Sequence, residues 1–188
     1  MRKIILSNMT TLDGYFEGPG QSIDWHHVDA DFFATANALL DSVDTHLFGR
    51  VTYQGMESYW TSGQAMKDDP VITAKMNGTP KIVFSRTLAK ADWKNTRLIK
   101  EHVAEEVGKL KNLPGKDMVM FGSSNLAASF LDMGLLDEVR IYLNPVALGA
   151  GTPLFKGLKN RVEFKLLSTQ AFKNGNVLII YQPLKKTA

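Results

Sequence analysis

The strongest constraint on the fold is an abrupt change of period near residue 121. Met118-Val119-Met120-Phe121 is a short apolar run that stops at Gly122-Ser123-Ser124-Asn125 and passes at once into a helical pattern. A short apolar run bounded by Gly and Ser is read as a buried strand. Beyond it, Leu126, Ala127, Phe130 and Leu131 share one helix face; Ser124 or Asn125 can cap the start and Gly134 suits the stop. The unit is strand, small-residue turn, helix N-terminus. It aims free N–H groups and the positive end of a helix dipole at whatever lies above the turn, a favourable place for a phosphate. A plain strand-to-helix connection competes with that reading, because one glycine and two serines are not a specific motif.

The same alternation recurs along the chain. Strands are expected at Arg2–Met9, Thr45–Phe48, Lys81–Phe84, Thr96–Ile99 and Glu138–Leu143, and helices at Asp31–Ser42, Val51–Tyr59 and Val103–Leu110. Thr10–Gln21 is a loop rich in turn residues, and Thr61–Asp69 is polar enough to read as a surface excursion. Val162–Thr169 and Val177–Gln182 read as an antiparallel hairpin across Lys173-Asn174-Gly175-Asn176. The 188 residues therefore predict one α/β domain over 1–188, its central sheet mostly parallel with an antiparallel C-terminal hairpin. In such sheets ligands sit at the carboxyl ends of the strands. Three strand ends carry small or hydroxylated residues: Gly49-Arg50-Val51-Thr52, Ser85-Arg86-Thr87 and Gly122-Ser123-Ser124-Asn125. Two of them bring an arginine, and the conjunction says more than any one turn, although Arg50 and Arg86 also read as solvated surface residues.

Composition removes several classes. With 0 Cys, disulfides, thiolate catalysis and Cys-ligated metals are excluded. No apolar run approaches the ~20 residues of a membrane span, and no nucleic-acid partner is expected, since a net charge of +3 is not gathered into basic blocks. The adjacent His26 and His27 point different ways, and no HExxH or carboxylate cluster occurs, so no catalytic metal is expected. The absence of Cys fits a cytoplasmic protein.

Six pieces in order resemble the dihydrofolate reductase superfamily: SNMTTLDGY (7–15), LFGRVTY (47–53), VFSRTL (83–88), MFGSSN (120–125), GLLDE (134–138) and NPVALGAGTPLF (144–155). Within it, the chain is similar to the reductase domain at the C-terminal end of bacterial riboflavin-biosynthesis deaminase/reductase proteins. The resemblance implies a dihydrofolate reductase-like three-layer α/β/α fold and a reductase that uses NADPH. It implies that Gly49, Arg50, Thr52, Ser85 and Arg86 hold the adenosine 2′-phosphate and nearby phosphates, while Gly122, Ser123, Ser124 and Asn125 meet the nicotinamide and pyrophosphate. A guanidinium fork backed by hydroxyls suits a phosphate dianion. The family often has two glycines where this chain has Gly122-Ser123, and in dihydrofolate reductases that peptide is cis.

By the same resemblance, Asp13-Gly14-Tyr15 matches the lid over the nicotinamide, with Asp13 and Gly14 at the substrate. Trp25 lines the substrate pocket, and Asp31 handles the proton, with Asp24 and Asp29 as competitors. Each has a plainer alternative: a turn, a core aromatic, a helix cap. Riboflavin-pathway reductases commonly carry Asp-Asn-Pro after the Gly-x-x-Thr turn, whereas this chain has Gln54-Gly55-Met56-Glu57 and an Asp68-Asp69-Pro70 further on. The expected activity is NADPH-dependent reduction of a small heterocycle, resembling 5-amino-6-(5-phosphoribosylamino)uracil reductase. A dihydrofolate or pterin reductase and a non-catalytic nucleotide-binding protein are the alternatives. The apolar strand Val177–Gln182 is read as an exposed edge, to be covered in a homodimer through the C-terminal strands.

Overall fold

The computed structural model describes residues 1–184. In chain order the elements are β1 (Ile4–Thr11), β2 (Tyr15–Glu17), α1 (Ala30–Ser42), β3 (Val43–Gly49), α2 (Arg50–Trp60), α3 (Gly63–Asp68), α4 (Pro70–Gly78), β4 (Lys81–Phe84), β5 (Thr96–Ile99), α5 (Val103–Asn112), β6 (Asp117–Met120), α6 (Ser124–Asp132), β7 (Glu138–Asn144), β8 (Thr152–Pro153), β9 (Phe164–Ala171) and β10 (Val177–Pro183). The main sheet has eight strands in the order β5-β4-β3-β6-β1-β7-β10-β9. The first six run parallel, and β10 is antiparallel to both β7 and β9.

Both faces of the parallel part are buried, which is why its strands read as continuous apolar runs. The period of two sorts them. Ile4, Leu6, Leu47, Met118 and Met120 pack with Val107 and Leu110 of α5 and Ala127 and Phe130 of α6. The intervening residues face the opposite layer: Phe48 and Val83 meet Tyr53, Ile72 and Met76 from α2 and α4, and Ile5 and Val119 meet Leu39 of α1. The result is the expected α/β/α sandwich.

The fold departs from the sequence reading in several places, beginning with β2, which lies inside the expected loop Thr10–Gln21 and pairs with β8. The stretch Thr61–Asp69 is no loose excursion but carries α3, and a second helix that the sequence reading left unassigned, α4, follows it directly. Ser62 caps α3 by accepting the Ala65 N–H at 3.2 Å, and Asp69 caps α4 through the Ile72 N–H at 2.8 Å, with Pro70 in the first turn. Ser124 and Asn125 do not cap α6; its cap position is Ser123, without a side-chain bond. Finally, β10 is not an edge strand. It lies between β7 and β9, and the edge is β9, whose residues are exposed along almost its whole length.

One buried residue stands out against this core. His46, in the middle of β3, is fully buried with both ring nitrogens unpartnered, and it packs edge-on against Phe121 at 5.5 Å. Its register partner on β4 is Lys81. The Lys81 ammonium donates to the carbonyls of Asn77, Thr79 and Lys94 at 3.1, 2.8 and 3.1 Å and sits 4.5 Å from the Trp93 ring centroid.

Candidate functional site

Adjacent parallel strands end side by side, so the three turns named from the sequence meet on one edge. Gly49 pairs in register with Phe84, which brings Arg50 and Ser85 out of the sheet together at the ends of β3 and β4. On the other side of β3, the Gly49 N–H donates to the Gly122 carbonyl at 2.9 Å. A Cβ at residue 49 would fall 2.5 Å from Ser123 Oγ and 3.0 Å from its backbone nitrogen, so only glycine permits this approach. Gly122 has φ +113° and faces Phe16, Thr52 and Asn8 at 3.0, 3.2 and 3.5 Å from the position a Cβ would take. The Gly122–Ser123 peptide is cis. Gly49→Ala is expected to cost about 1–3 kcal/mol, the usual price of overpacking. Urea denaturation checks it, and Ser123→Gly in the same chain should return only part of the loss, since the backbone contact remains.

The two helices that leave this edge have open N-termini. α2 is capped by Gly49 and α6 by Ser123, neither with a side-chain bond, whereas Asp29, Ser62 and Asp69 close α1, α3 and α4. Free N–H groups and two positive dipole ends therefore face the space above β3 and β6. Arg50 and Arg86 are exposed, and Arg50 bonds Gln54 at 3.1 Å. The Ser85 hydroxyl accepts the N–H groups of Thr87 and Leu88 at 3.2 and 3.0 Å, fixing the turn that presents Arg86. These residues could hold a dinucleotide: two cations, hydroxyls, uncapped N–H groups, and glycines where a side chain would fill the cradle.

Next to this edge lies a cavity of about 450 Å³ between β1, α1 and α2. Thr52 belongs to both, lining the cavity while it faces Gly122. The remaining lining is largely apolar, with Phe32, Leu40, Met56, Trp60 and Phe121 among its walls. Asn8, His26 and Tyr142 are among its lining residues, and the Asn8 amide, His26 Nε2 and the Tyr142 hydroxyl are buried behind the wall with no hydrogen-bond partner. Burial holds His26 at about 4, so the ring is neutral at pH 7, and pushes the Tyr142 phenol up from its ordinary value.

The structure does not bring Asp31, Asp13, Gly14 or Trp25 to the cavity wall. Asp31 is exposed in the first turn of α1, and it is the neighbouring Phe32 and Phe33 that face the cavity. Asp29 is the cap of α1, accepting the Phe32 N–H at 2.8 Å, and Asp24 bonds the Ser22 hydroxyl. Trp25 is core, packed with Met9, Tyr142 and Phe172. Asp13 ties two loops together. It accepts the N–H groups of Leu148 and Gly149 at 3.0 and 2.7 Å and the Thr11 hydroxyl at 2.6 Å, which hold its carboxyl below the usual range. The same two loops pair as β2 and β8, where a Cβ on Gly151 would fall 2.2 Å from the Glu17 carbonyl oxygen. Phe16 and Glu17 of β2 line the cavity.

Among the described residues no group of three or more His, Asp or Glu could hold a metal ion, and no helix is long and apolar enough to cross a membrane.

This sheet order, with its edge of open helix ends, defines a dihydrofolate reductase-like fold. Dihydrofolate reductase from Enterococcus faecalis, complexed with NADP(H) and RAB-propyl, superposes with a TM-score of 0.63 at 13% identity over 97% of each chain. The chain belongs to the RibD C-terminal domain family, which matches residues 2–178. The uncharacterized protein YyaP of Bacillus subtilis is 36% identical over 180 residues, covering 96% of this chain and 94% of YyaP. The Thermotoga maritima diaminohydroxyphosphoribosylaminopyrimidine deaminase/5-amino-6-(5-phosphoribosylamino)uracil reductase has a TM-score of 0.71 at 16% identity, covering 97% of this chain and 57% of that one.

Proposed function

We propose that the chain is an NADPH-dependent reductase of a small heterocyclic substrate. The observation that carries the reading is the meeting of Gly49–Thr52, Ser85–Arg86 and Gly122–Asn125 on one edge of one sheet, beside a cavity. NADPH supplies a hydride when bound. Arg50 and Arg86 grip the 2′-phosphate as charge-assisted donors, with the hydroxyls of Thr52 and Ser85 beside them. The open starts of α2 and α6, with Ser123, Ser124 and Asn125, take the remaining phosphates. Gly49 and Gly122 keep the space clear, and the cavity holds the acceptor ring and excludes water. Titration with NADPH and NADH, followed by cofactor fluorescence, tests this. Equal weak binding of the two removes it.

The exposed position of Asp31 favours a second reading, a nucleotide-binding protein that kept the fold without its chemistry. It predicts NADPH binding with no NADPH oxidation by any pyrimidine, pterin or folate, and one turning-over substrate ends it.

A two-fold dimer in the cytoplasm belongs to the same proposal. The exposed edge β9 carries Leu166 and Leu167, 52% and 47% exposed, and β10 beside it is only half-buried. Unprotected apolar edges of this kind invite pairing with a second chain. Light scattering is expected to give twice the chain mass, and Leu166→Lys to shift the population towards monomer. A wild-type chain that stays monomeric at working concentration removes the dimer.

A further inference from the structure

The turn Lys173-Asn174-Gly175-Asn176, which the sequence presents as a plain hairpin connection, is bonded to a segment near the start of the chain. The His27 carbonyl accepts side-chain N–H groups from Asn176 at 2.6 Å and from Asn174 at 3.2 Å. The His27 N–H donates to the side-chain oxygen of Asn144 at 2.8 Å. Both backbone groups of one residue are thus held by asparagines that lie 117, 147 and 149 positions away in the chain. Asn144 and Asn176 are 0% exposed. Asn144 also donates to the Tyr142 carbonyl at 2.9 Å, and Asn174 accepts the Asn176 N–H at 3.0 Å, so the holders are themselves fixed. Gly175 seats the turn beside Asn144: its φ is +90°, and a Cβ there would fall 3.1 Å from Pro145 Cγ.

His27 belongs to residues 22–29, which lead into α1 without forming a helix or strand. Ile23, His26 and Val28 of this segment line the cavity, and Ile23 and Val28 stand exposed at its rim. Trp25 points away from it, into the core beside Phe172 at the foot of the turn. A segment with no ladder of its own is ordinarily among the mobile parts of a fold. A cavity wall made from one keeps its shape when its backbone groups are bonded from behind. The three asparagines supply those bonds. Asparagine suits the task because one short side chain both donates and accepts. The turns at Gly49 and Gly122 are held separately, by the Gly49 N–H on the Gly122 carbonyl.

We propose that Asn144, Asn174 and Asn176 are positioning residues for the cavity. Through His27 they hold residues 22–29 as its rim, so the turn of the C-terminal hairpin sets how tightly the cavity grips a ligand that the turn never touches. The inference rests on the reductase reading in treating this cavity as the substrate site.

Two measurements test it together. N-phenyl-1-naphthylamine, a neutral probe that brightens in apolar surroundings, reads the cavity, and amide hydrogen exchange of residues 22–29 reads the rim. The wild type is expected to saturate with the probe. Asn176→Ala should weaken the probe about tenfold and speed exchange in 22–29, the loss of one well-placed hydrogen bond. Asn174→Asp keeps the oxygen that receives the Asn176 N–H and loses the donor to His27, so the turn survives while the tie does not; it should weaken the probe about threefold. Asp132→Ala removes a tie of similar kind, from Lys159 and Asn160 to α6. It should lower stability and leave probe affinity within about twofold, which separates positioning from general loosening. NADPH affinity should likewise stay within about twofold in both asparagine variants. The proposal is overturned by a wild type that never saturates with the probe, by probe affinity that holds while exchange in 22–29 speeds up, or by an NADPH loss as large as the probe loss. A wild type that takes the probe but not NADPH ends the reductase reading and leaves the positioning assignment standing.

Discussion

Replacing Arg50 and Arg86 together by alanine is expected to weaken NADPH binding about 100-fold or more while NADH binding changes by less than threefold. A charge-assisted hydrogen bond to a phosphate contributes roughly 1.5–3 kcal/mol, and each 1.4 kcal/mol is tenfold in affinity. Both side chains are exposed, so the lower end applies, and two of them give about 3 kcal/mol. NADH lacks the 2′-phosphate and leaves the guanidinium groups without a partner in either protein. The selectivity ratio is therefore the quantity to measure, by parallel fluorescence titrations at fixed salt. A double variant that keeps its preference for NADPH would show that the phosphate is held elsewhere. Lysine at the same positions should restore only part of the preference, because a point charge does not reproduce the bidentate fork.

Acid is expected to strip stability from this protein well above the carboxylate range, and His46→Leu to remove a large part of that loss. Burial, with Lys81 beside it, holds the His46 ring at about 3, and burial holds His26 at about 4. Both values lie below the ordinary histidine value of about 6.5. The unfolded chain therefore binds these protons more readily than the folded one. The stabilisation is complete above pH 6.5 and falls as the pH drops through 6.5 towards 4, by about 1.4 kcal/mol per pH unit for each histidine. Lys81, lowered by burial to about 8, is charged throughout that window and contributes no slope of its own. By pH 4.5 the His46 share is about 3 kcal/mol. Urea denaturation at pH 7 and 4.5 should thus show a shallower loss in His46→Leu than in the wild type. The variant should also gain about 1 kcal/mol at pH 7, because two unpartnered buried nitrogens are gone. Parallel pH slopes in the two proteins would place the acid sensitivity in other groups.

The edge where the three turns meet was legible because its turns demand particular residue types. A strand that ends against a neighbouring backbone needs the glycines at 49 and 122, and a helix that starts there without a side-chain cap leaves a readable gap between an apolar run and an amphipathic one. The small helices α3 and α4 were missed although their signals, Ser62 and the Asp69-Pro70 pair, are ordinary start signals; the polar composition between them outweighed the caps. Asp31 illustrates a different obstacle. Consecutive helix residues point about 100° apart, so spacing along the chain cannot say whether Asp31 or Phe32 turns towards the cavity. Asn8 and Tyr142 were hidden more deeply, inside apolar strands where the plain expectation is core. Only the packed sheet shows that their polar atoms are buried without a hydrogen-bond partner. The edge position of β9 was equally out of reach, since hairpin partners exchange places without changing the sequence pattern.

The tie between Asp13 and the Leu148-Gly149 backbone has a kinetic consequence. Because β2 and β8 are zipped together, and Gly151 is pressed against Glu17, the segment carrying Phe16 cannot swing away from the cavity by itself. It must take residues 147–153 with it. The two segments form a clasp beside the cavity, held by two charge-assisted bonds from the Leu148 and Gly149 backbone to the Asp13 carboxylate, and Asp13→Ala, which removes both, is expected to loosen it and to raise amide hydrogen exchange in both segments together.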